Sequence, residues 1–199
     1  MTTGLFGGSF NPPHVGHLVV AEACRQGAGL EGVVWMPAAT SPHKQGDPQM
    51  APAASRLAMA RAATAGNEHF SVSDLEVERR GVSYTVDTVR ALSGPRDLAL
   101  IVGGDSLAGF TRWKDPEAIV ECARLVVYRR PGDGVDLEGL PGWLRDAVTV
   151  VDGPGLEVSS TEVRNRIGAG QTVRYLVPDP VLEVVRAHGL YGIGRAGAP

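Results

Sequence analysis

The chain has 199 residues, of which 43% are hydrophobic and 21% are charged, and its formal net charge is −3. These values fit a single domain, residues 1–199, with an ample core, and they argue against a disordered chain. The small negative charge excludes a broad electropositive surface, so we expect no nucleic-acid partner and only local binding of anions.

Neither the N-terminus nor the cysteines point to export or to a membrane. No basic segment precedes an apolar run at the N-terminus, and no apolar stretch is long enough to cross a bilayer. Cys24 and Cys122 stand singly, without a CxxC pair, which is typical of a reduced intracellular protein. We therefore expect a cytoplasmic protein with no membrane partner.

Strand-like and helix-like segments alternate along the chain, with Gly- and Pro-containing loops between them. The predicted strands are 5–6, 33–36, 70–74, 98–102, 125–128 and 148–151, and the predicted helices are 15–26, 53–65, 83–92, 117–123, 159–167 and 181–188. Segment 75–81 is interpreted as an irregular extension or an edge strand, and 132–146 as a surface excursion with one short helix near Trp143. Residues 159–192 form a small C-terminal helical portion, and 193–199 a frayed tail.

This alternation predicts an α/β fold, a Rossmann-like doubly wound parallel sheet covered on both faces. Such sheets bind ligands beyond the carboxyl ends of their strands, where the strand order reverses. Four polar segments follow predicted strands: 7–17, Lys44, 103–105 and Arg130. We expect all four at that edge.

The segment after the first strand has the features of a phosphate-binding loop. Gly7 and Gly8 can take positive φ and bring bare N–H groups against a ligand, and the two prolines after Asn11 stiffen the turn. Asn11 can hold the turn through side-chain bonds to the backbone.

His14 and His17 lie three positions apart at the start of the first predicted helix. Both imidazoles therefore lie on one face near the electropositive helix end, where they can donate to a phosphoryl oxygen. A zinc site is the weaker alternative, because it needs three or four ligands and neither cysteine is near the pair in sequence.

The segment GGSFNPPHVGH resembles the HxGH signature of the nucleotidyltransferase superfamily. Together with the downstream SSTEVR it resembles the bacterial nicotinate-nucleotide adenylyltransferases, over roughly residues 4–192. That resemblance implies transfer of the adenylyl group of ATP to nicotinate mononucleotide by in-line displacement, with release of pyrophosphate. Ser9, Asn11 and Val163 depart mildly from the commonest form of the motifs and leave this interpretation in place.

The resemblance also implies roles for individual residues on the ATP side. Catalytic contacts with the triphosphate fall to His14, His17, Lys44 and Arg164. The other expected ATP-binding residues are Gly7, Gly8, Ser9, Phe10, Gly103, Asp105, Ser159, Ser160 and Thr161. Ser159 begins a capping box with Glu162, and Asp105 is placed to accept from ribose hydroxyls.

On the mononucleotide side, the resemblance implies that Trp113 stacks on the pyridine ring and that Thr85 helps to place its carboxylate. Arg130 is assigned to the mononucleotide phosphate, although Arg129 competes for that role. Mg²⁺ is implied as a cofactor held by ATP phosphates and water rather than by a protein cage. The sequence leaves a homo-oligomer open.

Three other functions remain as alternatives. Two are sister adenylyltransferases acting on phosphopantetheine or on nicotinamide mononucleotide. The third is a nucleotide-binding regulator without turnover, which would be expected to have lost one of the phosphate contacts.

Overall fold

The computed structural model describes residues 2–94 and 97–193. The strands are β1 (Thr2–Gly8), β2 (Gly32–Pro37), β3 (Phe70–Val72), β4 (Asp97–Gly103), β5 (Arg124–Arg129) and β6 (Val148–Asp152). The α-helices are α1 (Val15–Gly27), α2 (Ala53–Thr64), α3 (Leu75–Arg79), α4 (Thr85–Leu92), α5 (Gly104–Ala108), α6 (Pro116–Cys122), α7 (Gly142–Arg145), α8 (Ser160–Gly168) and α9 (Asp179–Ala187). Single 3₁₀ turns lie at Pro42–Lys44, Phe110–Arg112 and Leu190–Gly192.

The six strands form one parallel sheet in the order β3-β2-β1-β4-β5-β6. From β1 the chain moves outward to β3, crosses back to β4 and then moves outward in the other direction. The predicted Rossmann-like doubly wound fold is confirmed. The direction reverses between β1 and β4, so a crevice is expected beyond the carboxyl ends of these two strands.

Alternate residues of the central strands pack on opposite faces of the sheet, as the two-residue period of a strand requires. Leu5 joins a buried cluster with Leu100 on one face, whereas Phe6 joins Trp35 in a cluster on the other. Helices cover both faces, which explains why β4 is apolar at almost every position.

A third buried cluster joins the C-terminal helices to α2. Met59 of α2 packs with Val163 of α8 and Val185 of α9. Ile193 packs against the same cluster, and its N–H donates to the carbonyl of Leu190 at 3.1 Å. The predicted frayed tail therefore does not begin at 193, and residues 194–199 lie outside the described residues.

The prediction of an irregular or edge-strand segment at 75–81 is wrong. Leu75–Arg79 is a short helix, α3, and Glu76 is buried and accepts a 2.5 Å hydrogen bond from the hydroxyl of Thr88 on α4. Five residues of alternating polarity are too few to separate a strand from one helical turn, and the contact with α4 favours the helix.

Helix α6 begins at Pro116, one residue before the predicted start, and has no side-chain cap. Asp115 occupies the position before the helix with φ 49° and ψ 58°, and its side chain makes no capping hydrogen bond. The first-turn proline, Pro116, explains the start of the helix without that bond, because its fixed φ suits the position.

Among residues 2–94 and 97–193, we find no helix with the length and apolar character needed to span a membrane. Cys24 is buried, Cys122 is half-buried, and both are free thiols.

Candidate functional site

A cleft of about 420 Å³ opens at the carboxyl edge of the sheet, where β1 and β4 end. Its walls come from the start of α1, the ends of β4 and β5, the loop before α2, and the N-terminus of α8. The residues predicted from sequence that line it are His14, His17, Lys44, Gly103, Asp105, Arg130, Ser159, Ser160, Thr161 and Arg164. Segments that are distant in sequence thus meet in one cavity.

The two histidines form a stacked pair in this cleft. Their ring centroids are 3.8 Å apart, with 36° between the ring planes. The main-chain N–H of His14 donates to Nδ1 of His17 at 3.2 Å. Because Nδ1 of His17 accepts this bond, the proton of the neutral ring lies on Nε2, and His17 can act as a hydrogen-bond donor.

Both histidines are held neutral. Burial, together with the charge of Arg130, lowers the pKa of His14 from 6.5 to about 4. Burial first, then the proximity of His14, which would repel a second proton, and then the charges of Lys44 and Arg130 lower the pKa of His17 well below its ordinary value. Nδ1 of His14 is buried and has no hydrogen-bond partner in the described part of the chain.

Gly16 is required by the His14 ring that stands beside it. A Cβ at this position would lie 3.0 Å from Nδ1 of His14 and 3.0 Å from Cγ1 of Val158. Gly16 is not among the site residues predicted from the sequence. Its position between the two histidines of the HxGH segment was the available signal.

The turn after β1 differs from its prediction. Gly7 and Gly8 still belong to β1, paired with Met36 and Pro37 of β2, and neither has positive φ. Phe10 takes the left-handed conformation instead, with φ 47°. The expectation of positive φ at the two glycines is therefore wrong.

Gly8 is needed for another reason, because a Cβ there would lie 3.0 Å from the ring of Phe10. That ring is 2% exposed and packs edge-on against His17 with centroids 5.2 Å apart. Phe10 therefore supports His17 from behind, and its ring is not exposed to the cleft. Gly7, Gly8, Ser9 and Phe10 do not line the cleft.

Asn11 holds the turn by long-range bonds. Its amide Nδ2 donates to the carbonyl of Gln49 at 3.0 Å, and its Oδ1 accepts from the N–H of Ala51 at 3.0 Å. Oδ1 also accepts from the hydroxyl of Tyr191 at 2.8 Å. Asn11 thus joins the turn to the loop before α2 and to the C-terminal 3₁₀ turn.

The N-terminus of α8 is docked on the same turn. Ser160 Oγ donates to the carbonyl of Pro12 at 2.8 Å, and Ser159 Oγ accepts from the N–H of Glu162 at 3.1 Å. The reciprocal half of the predicted capping box is absent, because the Glu162 carboxylate pairs with Arg166 at 2.9 Å.

Arg164 bridges α8 and the turn. Its Nη1 donates to the carbonyl of Asn11 at 2.9 Å, and its Nη2 donates to Gln49 Oε1 at 3.1 Å and to Thr161 Oγ1 at 3.3 Å. Nε is buried and has no partner among the residues described.

The two neighbouring arginines after β5 have different surroundings. Arg129 donates to both carboxylate oxygens of Asp152, at 2.5 and 2.8 Å, on the adjacent strand β6. Arg130 is exposed and lines the cleft. With Lys44 and Arg164 it supplies three cationic side chains to the cleft, and the carboxylates Asp105 and Asp133 also line it.

Thr85 and Trp113 do not line this cleft, but they lie in neighbouring segments. Lys114, next to Trp113, sits 4.5 Å above the ring of Tyr84 and 3.5 Å from the carboxylate of Asp87, on either side of Thr85. The ring of Trp113 is half-buried and packs against Phe110, with centroids 5.0 Å apart.

No group of three or more His, Cys, Asp or Glu side chains suited to hold a metal ion occurs in residues 2–94 and 97–193.

Arg56 is a further residue near the site that was not predicted from the sequence. Its side chain is buried and donates hydrogen bonds to the backbone around the site. An arginine on a helix gives no sequence signal for burial, since its usual place is the surface.

The chain is similar to known proteins over nearly its whole length. Residues 5–166 match the family described as cytidylyltransferase-like. A curated protein of Salinibacter ruber, named probable nicotinate-nucleotide adenylyltransferase, is 48% identical, and the match covers 96% of this chain and 98% of that protein. A protein of the same name from a Roseiflexus species is 43% identical, with 94% and 96% covered.

Solved structures share the fold at lower identity. The Plasmodium falciparum nicotinic acid mononucleotide adenylyltransferase complexed with NaAD superposes with a TM-score of 0.77 at 15% identity, covering 98% of each chain. The same enzyme complexed with APC gives a TM-score of 0.76 at 14% identity, again over 98% of each chain.

Proposed function

Since the chain belongs to the cytidylyltransferase-like family and, within it, to the nicotinate-nucleotide adenylyltransferases, we propose that it adenylylates nicotinate mononucleotide. A phosphate oxygen of the mononucleotide attacks the α-phosphorus of ATP. The new phosphoanhydride bond forms as the bond from the α-phosphorus to the bridging oxygen breaks, and pyrophosphate leaves. The products are nicotinate adenine dinucleotide and pyrophosphate.

The observation that carries this proposal is that a stacked pair of neutral imidazoles and three cationic side chains line one cleft. The attacking phosphate is already an anion, so this reaction requires alignment and charge stabilisation and no strong base. His17 donates from Nε2 to a phosphate oxygen, and that bond strengthens as charge grows during displacement. His14 contributes a second neutral donor, and Lys44 supplies a point charge for the outer phosphates.

Helix α8 provides the second set of phosphate contacts. Its first N–H groups are free of intrahelical partners and favour an anion, and Ser159, Ser160 and Thr161 line the cleft at that end. Arg164 adds a guanidinium whose Nε has no partner in the described chain. Gly103, at the end of β4, and Asp105, in the first turn of α5, are proposed to contact the ribose of ATP, with the Asp105 carboxylate accepting from its hydroxyls.

The mononucleotide is proposed to lie toward α4. Thr85, in the first turn of α4, would help to place the nicotinate carboxylate, and Trp113 would offer an aromatic surface to the pyridine ring. Arg130 is proposed to bind the mononucleotide phosphate. Arg129 is the weaker choice, because Asp152 already occupies both arms of its guanidinium.

The turn after β1 is proposed to act through its main chain. Gly7 is exposed, and a Cβ there would have no heavy atom within 4 Å, so a nucleotide can approach its backbone closely. Gly8 and Ser9 continue that surface. Phe10 contributes by supporting His17.

Mg²⁺ is proposed to enter with ATP. The cleft offers the separate carboxylates Asp105 and Asp133 and no clustered cage in the described residues, so the ion's ligands would be phosphate oxygens and water, as Mg²⁺ prefers. When bound, it neutralises phosphate charge.

Pyrophosphate release from ATP and Mg²⁺ with nicotinate mononucleotide tests the proposal. We expect release that depends on the mononucleotide, with a higher kcat/KM for nicotinate than for nicotinamide mononucleotide. Preference for nicotinamide mononucleotide or phosphopantetheine would move the chain to a sister activity. Binding of ATP without any release at saturating substrates would identify a regulator.

A further inference from the structure

Arg56, in the first turn of α2, has a buried guanidinium that bonds only to main-chain carbonyls. The side chain is 2% exposed. Its Nε donates to Ala51 at 2.9 Å, Nη1 donates to Ser9 at 2.9 Å and to Ala38 at 2.6 Å, and Nη2 donates to Ala39 at 2.7 Å. No carboxylate pairs with it in residues 2–94 and 97–193.

The four carbonyls belong to two segments that build the cleft. Ser9 lies in the turn that leads to His14. Ala38 and Ala39 begin the loop that carries Lys44, and Ala51 ends it. One guanidinium therefore ties both ends of the loop 38–51 to the turn that precedes the histidines.

Neighbouring bonds support the same loop ends. The N–H of Ala39 donates to Ser83 Oγ at 3.0 Å, and the N–H of Ala51 donates to Asn11 Oδ1 at 3.0 Å. Lys44, between these anchors, is exposed. The position of its ammonium group thus depends on how the two ends are held.

A buried cation without a counter-charge costs stability, and burial lowers the pKa of Arg56. An apolar side chain would fill the same space without this cost. What an arginine offers is a rigid planar fork of donors that fixes its acceptors in one arrangement. The bonding pattern therefore indicates a geometric role.

We propose that Arg56 is a positioning residue that sets the distance between Lys44 and the His14–His17 pair, through the backbone of the loop 38–51 and without touching substrate. This inference rests on the proposed function, in which Lys44 and the histidines bind one triphosphate. It adds a residue outside the cleft to the machinery that aligns ATP.

A double-mutant cycle tests the inference. Arg56→Lys keeps the charge and loses the fork, and we expect kcat/KM for ATP to fall about tenfold or more. In a Lys44→Ala background the same change should cost only about twofold, because the group that Arg56 positions is already gone. Arg61→Lys is the matched control, since Arg61 lies on the same helix with its side chain 55% exposed, and it should leave kcat/KM unchanged.

Two results would overturn the inference. One is wild-type kcat/KM in Arg56→Lys. The other is an equal loss of kcat/KM on Arg56→Lys in the wild-type and Lys44→Ala backgrounds, which would mean that Arg56 does not act through Lys44. Thermal unfolding is recorded for each variant, and Arg56→Gln replaces Arg56→Lys if the latter is not folded at the assay temperature.

Hydrogen exchange in the wild type and in Arg56→Lys gives a readout that does not depend on turnover. In the wild-type protein we expect slow exchange at 38–40 and 49–51 and fast exchange around Lys44, and in Arg56→Lys we expect faster exchange at both loop ends. Fast exchange across all of 38–51 would show that the ends are not held and would contradict the inference. Absence of pyrophosphate release by the wild type, together with exchange at both loop ends that is slow in the wild type and faster in Arg56→Lys, would count against the proposed reaction while leaving the anchoring by Arg56 supported.

Discussion

The main-chain N–H of His14 donates a 3.2 Å hydrogen bond to Nδ1 of His17, so the first turn of α1 fixes the tautomer of the second imidazole. The remaining ring proton of His17 is on Nε2. Protonation of Nδ1 would set two donors against each other, which adds to the burial that keeps His17 neutral. A hydrogen-bond donor that carries no charge is thus built from two residues of one helical turn.

His17→Ala should lower kcat by about 10²-fold or more with a modest change in KM, because the contact strengthens in the transition state. Steady-state kinetics with both substrates measures this. His69→Ala is the control, since His69 is exposed and does not line the cleft. Wild-type turnover in His17→Ala would remove His17 from the reaction.

The stability of the ligand-free protein should fall on acidification below neutral pH. The pKa of His14 is about 4 in the folded state, below its ordinary 6.5, so the unfolded chain binds more protons between these values. The free energy of unfolding therefore decreases as pH falls through this window, by up to about 1.4 kcal/mol per pH unit. Urea unfolding from pH 7.5 to 5 measures the slope, which His14→Asn should reduce; equal slopes would mean that His14 titrates normally.

Gly16→Ala should lower kcat/KM by about tenfold or more while leaving the fold intact, because the new methyl group displaces the His14 ring. Kinetics and thermal unfolding are measured together. Gly66→Ala is matched in chemistry, and a Cβ at Gly66 would have no heavy atom within 4 Å. Equal kcat/KM and Tm in Gly16→Ala and Gly66→Ala would show that the His14 ring has room to move.

Arg130→Ala should raise KM for a phosphate-bearing substrate about tenfold, as loss of a charge-assisted contact would. Arg129→Ala should change KM little, because Arg129 already donates to Asp152. The two variants serve as controls for each other, since they remove the same charge from adjacent positions. A larger rise in KM in Arg129→Ala than in Arg130→Ala would assign the phosphate contact to Arg129 instead.

Trp113→Ala should raise the mononucleotide KM more than it lowers kcat, which is the pattern for a contact made equally in the ground and transition states. Trp143→Ala is the control for lost packing, since Trp143 contacts the same buried cluster from α7. We expect a lower Tm in both variants and a raised KM only in Trp113→Ala. An unchanged KM would place Trp113 outside the substrate site.

The sequence was informative where a property depends on neighbours along the chain. Periodicity and the glycine and proline positions gave the alternating elements, and spacing placed His14 and His17 on one helical face. It failed where a short segment takes its conformation from a tertiary contact. The helix at 75–79 is held to α4 by the hydrogen bond from Thr88 to Glu76, and Gly8 is required because the ring of Phe10 lies against it.

By itself the sequence determined the α/β class, the family and the set of residue types at the carboxyl edge of the sheet, because these follow from local pattern and from motifs of adjacent residues. Only the tertiary structure decided that Arg56 is buried, that Arg129 is occupied by Asp152, and that the two imidazoles are neutral. The residues that bury a side chain or bond to it are often far from it along the chain. The pKa of a side chain depends on these contacts, so it cannot be read from its sequence neighbours.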